Sequence, residues 1–235
     1  MAVTLWCEGG AMMIKRYALY FAPAEAGLWQ AGSDWLGWDA ATGRPTGQPA
    51  IAGLAAATAA PRKYGFHATL KAPFRLAEGV TPRDLHATLA ALAGQLGPVP
   101  LPGLAVTRLG RFLALCPQPQ PAALTRLAAE VVTAFEPFRA PLSAAEIARR
   151  QPDRLSPRQA ELLHAFGYPF VFEEFRFHLS LTGDLAPEAL TRFEPLAQAF
   201  FAPHLARPVQ IDRLCLFGED EGGRFHLLAA QALSG

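Results

Sequence analysis

The chain has 235 residues, 51% of them hydrophobic and 17% charged, with a formal net charge of +1. That composition excludes a disordered chain, which needs low hydrophobicity and high net charge, and argues against the broad basic footprint that long nucleic acid requires. Pro, Gly, Arg or Glu interrupts every apolar stretch well before the roughly 18 residues of a membrane-spanning helix.

Residues 1–13 lack a basic segment ahead of a long apolar run, so they do not read as a secretory leader. Gly9-Gly10 and the restart at Met12-Met13-Ile14-Lys15 mark them as an extension, expected to be disordered, ahead of a single domain over 14–235. Arg16 to Ala22, rich in aromatics and closed by Pro23, predicts a first strand. Ala26 to Leu36 predicts a short helix, and Gly37 to Pro49 a turn-rich surface loop. Tyr64 to Pro73 predicts a second strand. Thr81 as N-cap, Pro82 in the first position and leucines at 85, 89, 92 and 96 predict a helix stopped by Gly97-Pro98.

Two short strands, Leu104–Thr107 and Arg111–Cys116, are expected around a tight turn at Leu109-Gly110, followed by an amphipathic helix from Pro121 to Phe135. Residues 142–165 predict two more helices, capped by Ser143 and Ser156. Phe170 to Leu181 predicts a strand and Pro187 to Phe201 a helix. Val209–Phe217 and Arg224–Ala230 predict a closing hairpin. Cys7, Cys116 and Cys215 form no metal-ligand or C-x-x-C spacing, so reduced cytoplasmic thiols are expected, with neither a disulfide framework nor a metal.

The chain repeats itself. Residues 67–117 and 178–230 both read strand, helix, strand, turn, strand, and each unit opens with a His-x-(Thr/Ser)-Leu tetrad: His67-Ala68-Thr69-Leu70 and His178-Leu179-Ser180-Leu181. Strand alternation gives each tetrad an apolar back and a polar front. The fronts carry His67, Thr69 and Lys71 in one unit and Arg176, His178 and Ser180 in the other. Brought together across one cleft, two imidazoles suit acid–base chemistry near neutrality, one neutral to accept a proton and one charged to donate it. The hydroxyls two residues on are placed to donate to phosphoryl oxygens. His86, His164, His204 and His226 have no such pattern and are expected to be structural or solvated; Trp29, Trp35 and Trp38 are expected to pack.

Paired tetrads of this kind resemble the signature of the 2H phosphoesterase superfamily, which includes LigT-like RNA 2′,3′-cyclic phosphodiesterases. Their flanks, Arg62 to Phe74, Phe166 to Phe170 and Glu174 to Gly183, resemble a bacterial branch associated with phosphonate-metabolism operons. The resemblance implies an α+β, bilobal duplicated fold, with two antiparallel sheets forming a central cleft and helices packed outside. It implies His67 and His178 as the catalytic pair, with Thr69 and Ser180 holding phosphate; Lys71 and Arg176 share the histidine faces and are further substrate-binding candidates. The expected activity is that of a metal-independent phosphoric diester hydrolase without cofactor, opening a small nucleotide or sugar cyclic phosphate, with phosphonate metabolism as its expected setting. A cytoplasmic monomer is expected, with no membrane partner and no long nucleic acid. The alternatives are a non-catalytic phosphate- or nucleotide-binding accessory and an RNA-end 2′,3′-cyclic phosphodiesterase or ligase. Loop 37–49 and the insert 142–165 are expected to shape the pocket.

Overall fold

A computed structural model describes residues 13–205 and 207–235, so all of the expected extension except Met13 lies outside the described residues. In chain order the elements are β1 (Arg16–Phe21), α1 (Ala26–Leu36), two helical turns α2 (Leu54–Ala57) and α3 (Ala59–Arg62), β2 (Ala68–Phe74), α4 (Pro82–Ala93), β3 (Val99–Leu101), β4 (Ala105–Leu109) and β5 (Phe112–Cys116). They continue with α5 (Ala122–Phe135), α6 (Ala144–Arg149), α7 (Pro157–Phe166), β6 (Leu179–Ser180), α8 (Pro187–Leu205), β7 (Val209–Ile211), β8 (Arg213–Glu219) and β9 (Phe225–Ala232). No helix among these residues is long and apolar enough to cross a membrane.

Local chemistry sets several helix starts. Thr81 and Asp84 close a capping box on α4, Ser143 and Glu146 on α6, and Ser156 and Gln159 on α7. Each box satisfies two of the backbone donors that a helix N-terminus leaves open. Helix α4 stops at Gly94 rather than at the expected Gly97-Pro98, and α8 runs on to Leu205.

The fold is α+β and antiparallel. Seven strands form one sheet in the order β4-β5-β6-β2-β1-β8-β9, and β3 pairs with β7 in a second, two-stranded sheet. The duplication is visible in the pairing. Repeat one supplies β2, α4, β3, β4 and β5; repeat two supplies β6, α8, β7, β8 and β9. Ala68 faces Leu179, and these are the residues that follow the two tetrad histidines. Pro100 likewise faces Gln210 in β3–β7. Equivalent positions meeting each other are the mark of a local twofold axis, and it runs between the two tetrads. Each repeat's closing hairpin lies on the other repeat's side, β5 beside β6 and β8 beyond β1 from β2.

The main core lies on one face of the large sheet and joins both repeats. Leu19, Phe21, Ala68, Leu70, Leu115, Leu179 and Leu181 meet Leu85 and Leu89 of α4, Val131 and Phe135 of α5, and Phe193 and Phe201 of α8. The buried indole of Trp35 donates to the Leu181 carbonyl at 2.8 Å and ties α1 to the end of the second tetrad. A second, smaller cluster covers the opposite face of β1 and β8: Ala18, Tyr20, Ala22, Trp38, Cys215, Phe217 and Phe225. Beyond that cluster the opposite face is free to carry the polar fronts of the tetrads.

Two strand expectations need correction. The ladder of β2 begins at Ala68, and residues 64–67 form a loop in which Gly65 adopts φ +75°, a left-handed conformation that glycine tolerates at little cost. The strand expected over 170–181 is laddered only at Leu179–Ser180, because residues 172–174 wind into a 3-10 turn. Phe175 and Phe177 still alternate into the core. A side chain stands in for the missing neighbouring strand: Gln120 accepts from the Phe177 amide at 2.7 Å and donates to the Phe175 carbonyl at 3.2 Å.

Candidate active site

The register of the central pair places the four tetrad side chains. With Ala68 opposite Leu179, one further step each way sets His67 opposite Ser180 and Thr69 opposite His178. Residues facing each other across an antiparallel pair share a face, and diagonal neighbours are about 7–8 Å apart. All four side chains therefore rise on the face away from the main core, each imidazole beside the other repeat's hydroxyl. The cavities follow this pattern. One of about 450 Å³ is lined by His67 and Ser180, together with Tyr20, Tyr64, Arg150 and Asp184. An adjoining one of about 610 Å³ is lined by His178 and Arg176, together with Arg108, Gln159 and Phe170. Thr69, Phe112 and Tyr168 line both.

The two imidazoles are held alike. His67 Nδ1–H donates to the Gly65 carbonyl at 2.9 Å, and His178 Nδ1–H donates to the Arg176 carbonyl at 2.7 Å. A carbonyl only accepts, so each bond puts the ring proton on Nδ1 and leaves the Nε2 lone pair for chemistry. The Thr69 hydroxyl donates to His67 Nε2 at 3.2 Å. Beneath His67 lies the fully buried ring of Tyr20, stacked at 3.7 Å between centroids and backed by Phe217 at 5.0 Å. Gly65 fixes this arrangement from the other side: besides its positive φ, a Cβ there would lie 2.8 Å from that of Ala40. His178 has a lighter aromatic neighbour, Phe112, at 5.5 Å.

These settings keep both rings neutral. Burial lowers the His67 pKa to about 4, against a smaller upward pull from the Gly65 carbonyl and with a further downward push from His178. Burial also lowers His178, partly offset by the Arg176 carbonyl. That His67 senses the charge of His178 fits their diagonal placement on one face.

Lys71 is not in this group. Leu19 and Tyr20 take one step along β1 while their partners Lys71 and Thr69 take two along β2, a bulge that inserts one residue and reverses the alternation beyond Thr69. Lys71 consequently faces Leu19 on the core side. Its ammonium is buried there, 2.7 Å from Glu136 Oε2 and 3.2 Å from the Val132 carbonyl, both at the end of α5. We expect Lys71→Met to leave kcat/KM within about twofold of wild type. Glu136 keeps Arg139 at 2.6 Å, so the stability loss should be about 1–2 kcal/mol, read as a fall of roughly 2–8 °C in Tm. A phosphate-binding lysine would instead give the opposite split, lost turnover at unchanged Tm.

Arg176 is exposed and lines the His178 chamber. The insert 142–165 reaches the site through Arg150, whose guanidinium lies 4.9 Å from the centre of the Tyr168 ring. Loop 37–49 turns elsewhere: the Ala40 carbonyl accepts from Leu227, and Trp38 donates to the Phe225 carbonyl at 3.1 Å. Trp35 and Trp38 are core residues, as expected, and His226 is held by Asp220 at 2.8 Å. Sequence reasoning missed Tyr20 and Arg16, which also line the smaller cavity. For Tyr20 a signal existed, a lone aromatic between Ala18 and Ala22 on one face of β1. Arg16 forms a two-point pair with Glu219, and only the β1–β8 pairing reveals it. Among the described residues no group of three or more His, Cys, Asp or Glu side chains is placed to hold a metal ion.

The profile of a family described as a protein of unknown function, DUF1045, matches residues 69–226. Two relatives named ribose 1,5-bisphosphate phosphokinase PhnN are each 40% identical to this chain. That of Janthinobacterium sp. (strain Marseille) aligns over 220 residues, 89% of this chain and 49% of the relative. That of Laribacter hongkongensis (strain HLHK9) aligns over 211 residues, 88% and 49% respectively. The chain thus spans about half the length of these relatives. Among solved structures, E. coli LigT complexed with 3′-AMP aligns at 16% identity and a TM-score of 0.45, covering 95% of this chain and all of that one. A further phosphoesterase aligns at 16% identity and a TM-score of 0.43 over 95% of this chain.

Proposed function

Because the chain belongs to the DUF1045 family, its activity has to be read from its own site, and we propose that it is a metal-independent phosphoesterase that opens a small cyclic phosphodiester. The observation that carries this reading is the matched pair of imidazoles, each locked to a backbone carbonyl through Nδ1 and each facing the other repeat's hydroxyl. Water attacks phosphorus while His67 Nε2 takes its proton; His178, protonated, gives a proton to the ring oxygen as the phosphorus–oxygen bond breaks. One water is consumed and one phosphomonoester is formed, and proton exchange with solvent resets the two rings. Thr69 and Ser180 donate to the non-bridging oxygens as charge moves onto them.

Assigning His67 as the base follows from its deeper desolvation on Tyr20. The productive form, neutral His67 with protonated His178, then dominates between the two pKa values. We expect a bell-shaped kcat/KM profile whose acidic limb falls near pH 4 and whose alkaline limb lies below 6.5, the ordinary imidazole value. Activity should fall as pH rises above that limb, because His178 loses its proton. Reversed roles would put the productive form in the minority throughout and depress the whole profile.

For substrate, the relatives' name supplies a sugar bisphosphate, ribose 1,5-bisphosphate. Opening a cyclic phosphate on a sugar that already bears one phosphate yields a product of that class, and the PhnN name fits a role in phosphonate metabolism. The aromatic walls of the His178 chamber, Phe112, Tyr168 and Phe170, support a second reading in which the leaving group is a nucleoside. A panel of sugar 1,2-cyclic phosphates, nucleoside 2′,3′-cyclic phosphates and linear diesters, followed by phosphorus NMR with chelator present, tests both. Ring opening of a cyclic ester, unaffected by chelator, is expected. Binding without turnover across the panel would leave only a phosphate-binding accessory, and loss of activity in chelator would overturn metal independence.

A further inference from the structure

Two arginines at the site are without a carboxylate partner among the described residues, and they lie in different chambers. The other cations nearby are already neutralised: Arg16 by Glu219, Lys71 by Glu136, Arg108 by Glu194. Arg176 is exposed beside His178. Arg150 is different in kind. It ends α6, half-buried, with its guanidinium over the face of Tyr168, and it lines the smaller cavity alongside His67 and Tyr64.

Among the described residues the guanidinium there has no carboxylate partner to compete with an incoming anion. Both imidazoles are held neutral in the free protein, and stacking on Tyr168 orders the side chain without satisfying its five donors. A planar guanidinium with free donors fits a phosphate bidentately, and an ordered one loses less freedom on doing so. The cyclic phosphate itself must lie between the two imidazoles, on the strand side. Arg150 comes from the insert instead and lines the same cavity.

We propose that Arg150, set by Tyr168, forms a subsite for a second, terminal phosphomonoester on the substrate. The proposal rests on the phosphoesterase reading and narrows its substrate class to small cyclic phosphates that carry a further phosphate. A cavity of about 450 Å³ is ample for a phosphorylated pentose. The insert 142–165 thereby acquires a function, delivering a specificity-determining cation to a site whose chemistry belongs to the sheet.

The test uses D-ribose 5-phosphate and D-ribose as calorimetric probes, since neither needs turnover. Wild type should prefer the phosphorylated sugar, and Arg150→Gln should lose roughly 10- to 100-fold of that preference, the range expected for charge-assisted bonds to a phosphate. Arg150→Lys should recover part of it, because charge returns without the fork; it also carries the test if Arg150→Gln lowers Tm. His67→Ala should lower ribose 5-phosphate affinity less than Arg150→Gln does. Equal binding of both sugars by wild type, or wild-type preference in Arg150→Gln, overturns the subsite. So does a loss of preference in His67→Ala that Arg150→Gln does not share, since the phosphate would then sit on the imidazoles. If ribose 5-phosphate binding depends on Arg150 while the ester panel shows no turnover, the subsite stands and the catalytic reading falls.

Discussion

His67→Ala and His178→Ala should each lower the turnover of a small cyclic phosphodiester by roughly 10²- to 10⁴-fold, the usual contribution of a positioned general acid or base. The two residues act in one transition state, so the double variant should be little worse than the more damaging single one. The fold should survive. Neither ring sits in the main core, and each is bonded to a carbonyl of its own loop rather than to a distant element. His67→Ala removes a stack on Tyr20 worth about 0.5–1.5 kcal/mol and also frees a desolvated imidazole, two effects of opposite sign. Steady-state kinetics beside thermal unfolding separate the outcomes. Turnover lost with Tm nearly unchanged supports the assignment, and full activity in either variant refutes it.

The hydroxyls come next in size. Thr69→Ala and Ser180→Ala should each reduce kcat by roughly 10- to 1000-fold, with a smaller change in KM. In the free protein Thr69 donates to His67 Nε2 at 3.2 Å, a long bond that substrate can replace with one to a phosphoryl oxygen. Ser180 faces Ala114 across the β5–β6 pair, so a small neighbour leaves its hydroxyl open to the cavity. Donor-keeping exchanges, Thr69→Ser and Ser180→Thr, should stay within about tenfold of wild type. If Ala and the conservative residue behave alike at either position, the hydroxyl there does not touch the transition state.

What could be read in advance was the chemistry that is local in sequence. The helix over Ala26–Leu36 was legible from the apolar residues along it, and the capping residues Ser143 and Ser156 because a cap is built within four residues. The tetrads were legible because they occur twice, and their alternation survives even where the ladder does not: Phe175 and Phe177 point inward with Gln120 bonded to their backbone. Lys71 was misplaced because its face is decided by a bulge against β1, some fifty residues away in sequence, and no pattern within β2 reveals it. Arg150 was invisible for the same kind of reason. It follows a short helix whose own spacing says nothing about the cavity it lines, and the contact with Tyr168 is what gives it a role. The general division is physical: periodicity reports which way a chain faces as long as pairing stays regular, and Lys71 lies just where it becomes irregular.

The proposal comes down to whether both imidazoles address one anion. Titrating inorganic phosphate while following the Cε1 proton resonances of His67 and His178 tests this directly, with the alanine variants assigning the signals. Both resonances should move along a single isotherm and both rings should gain protons as phosphate binds, the charged form of each being favoured by the anion between them. Two independent isotherms, or a shift confined to one ring, would contradict a shared site.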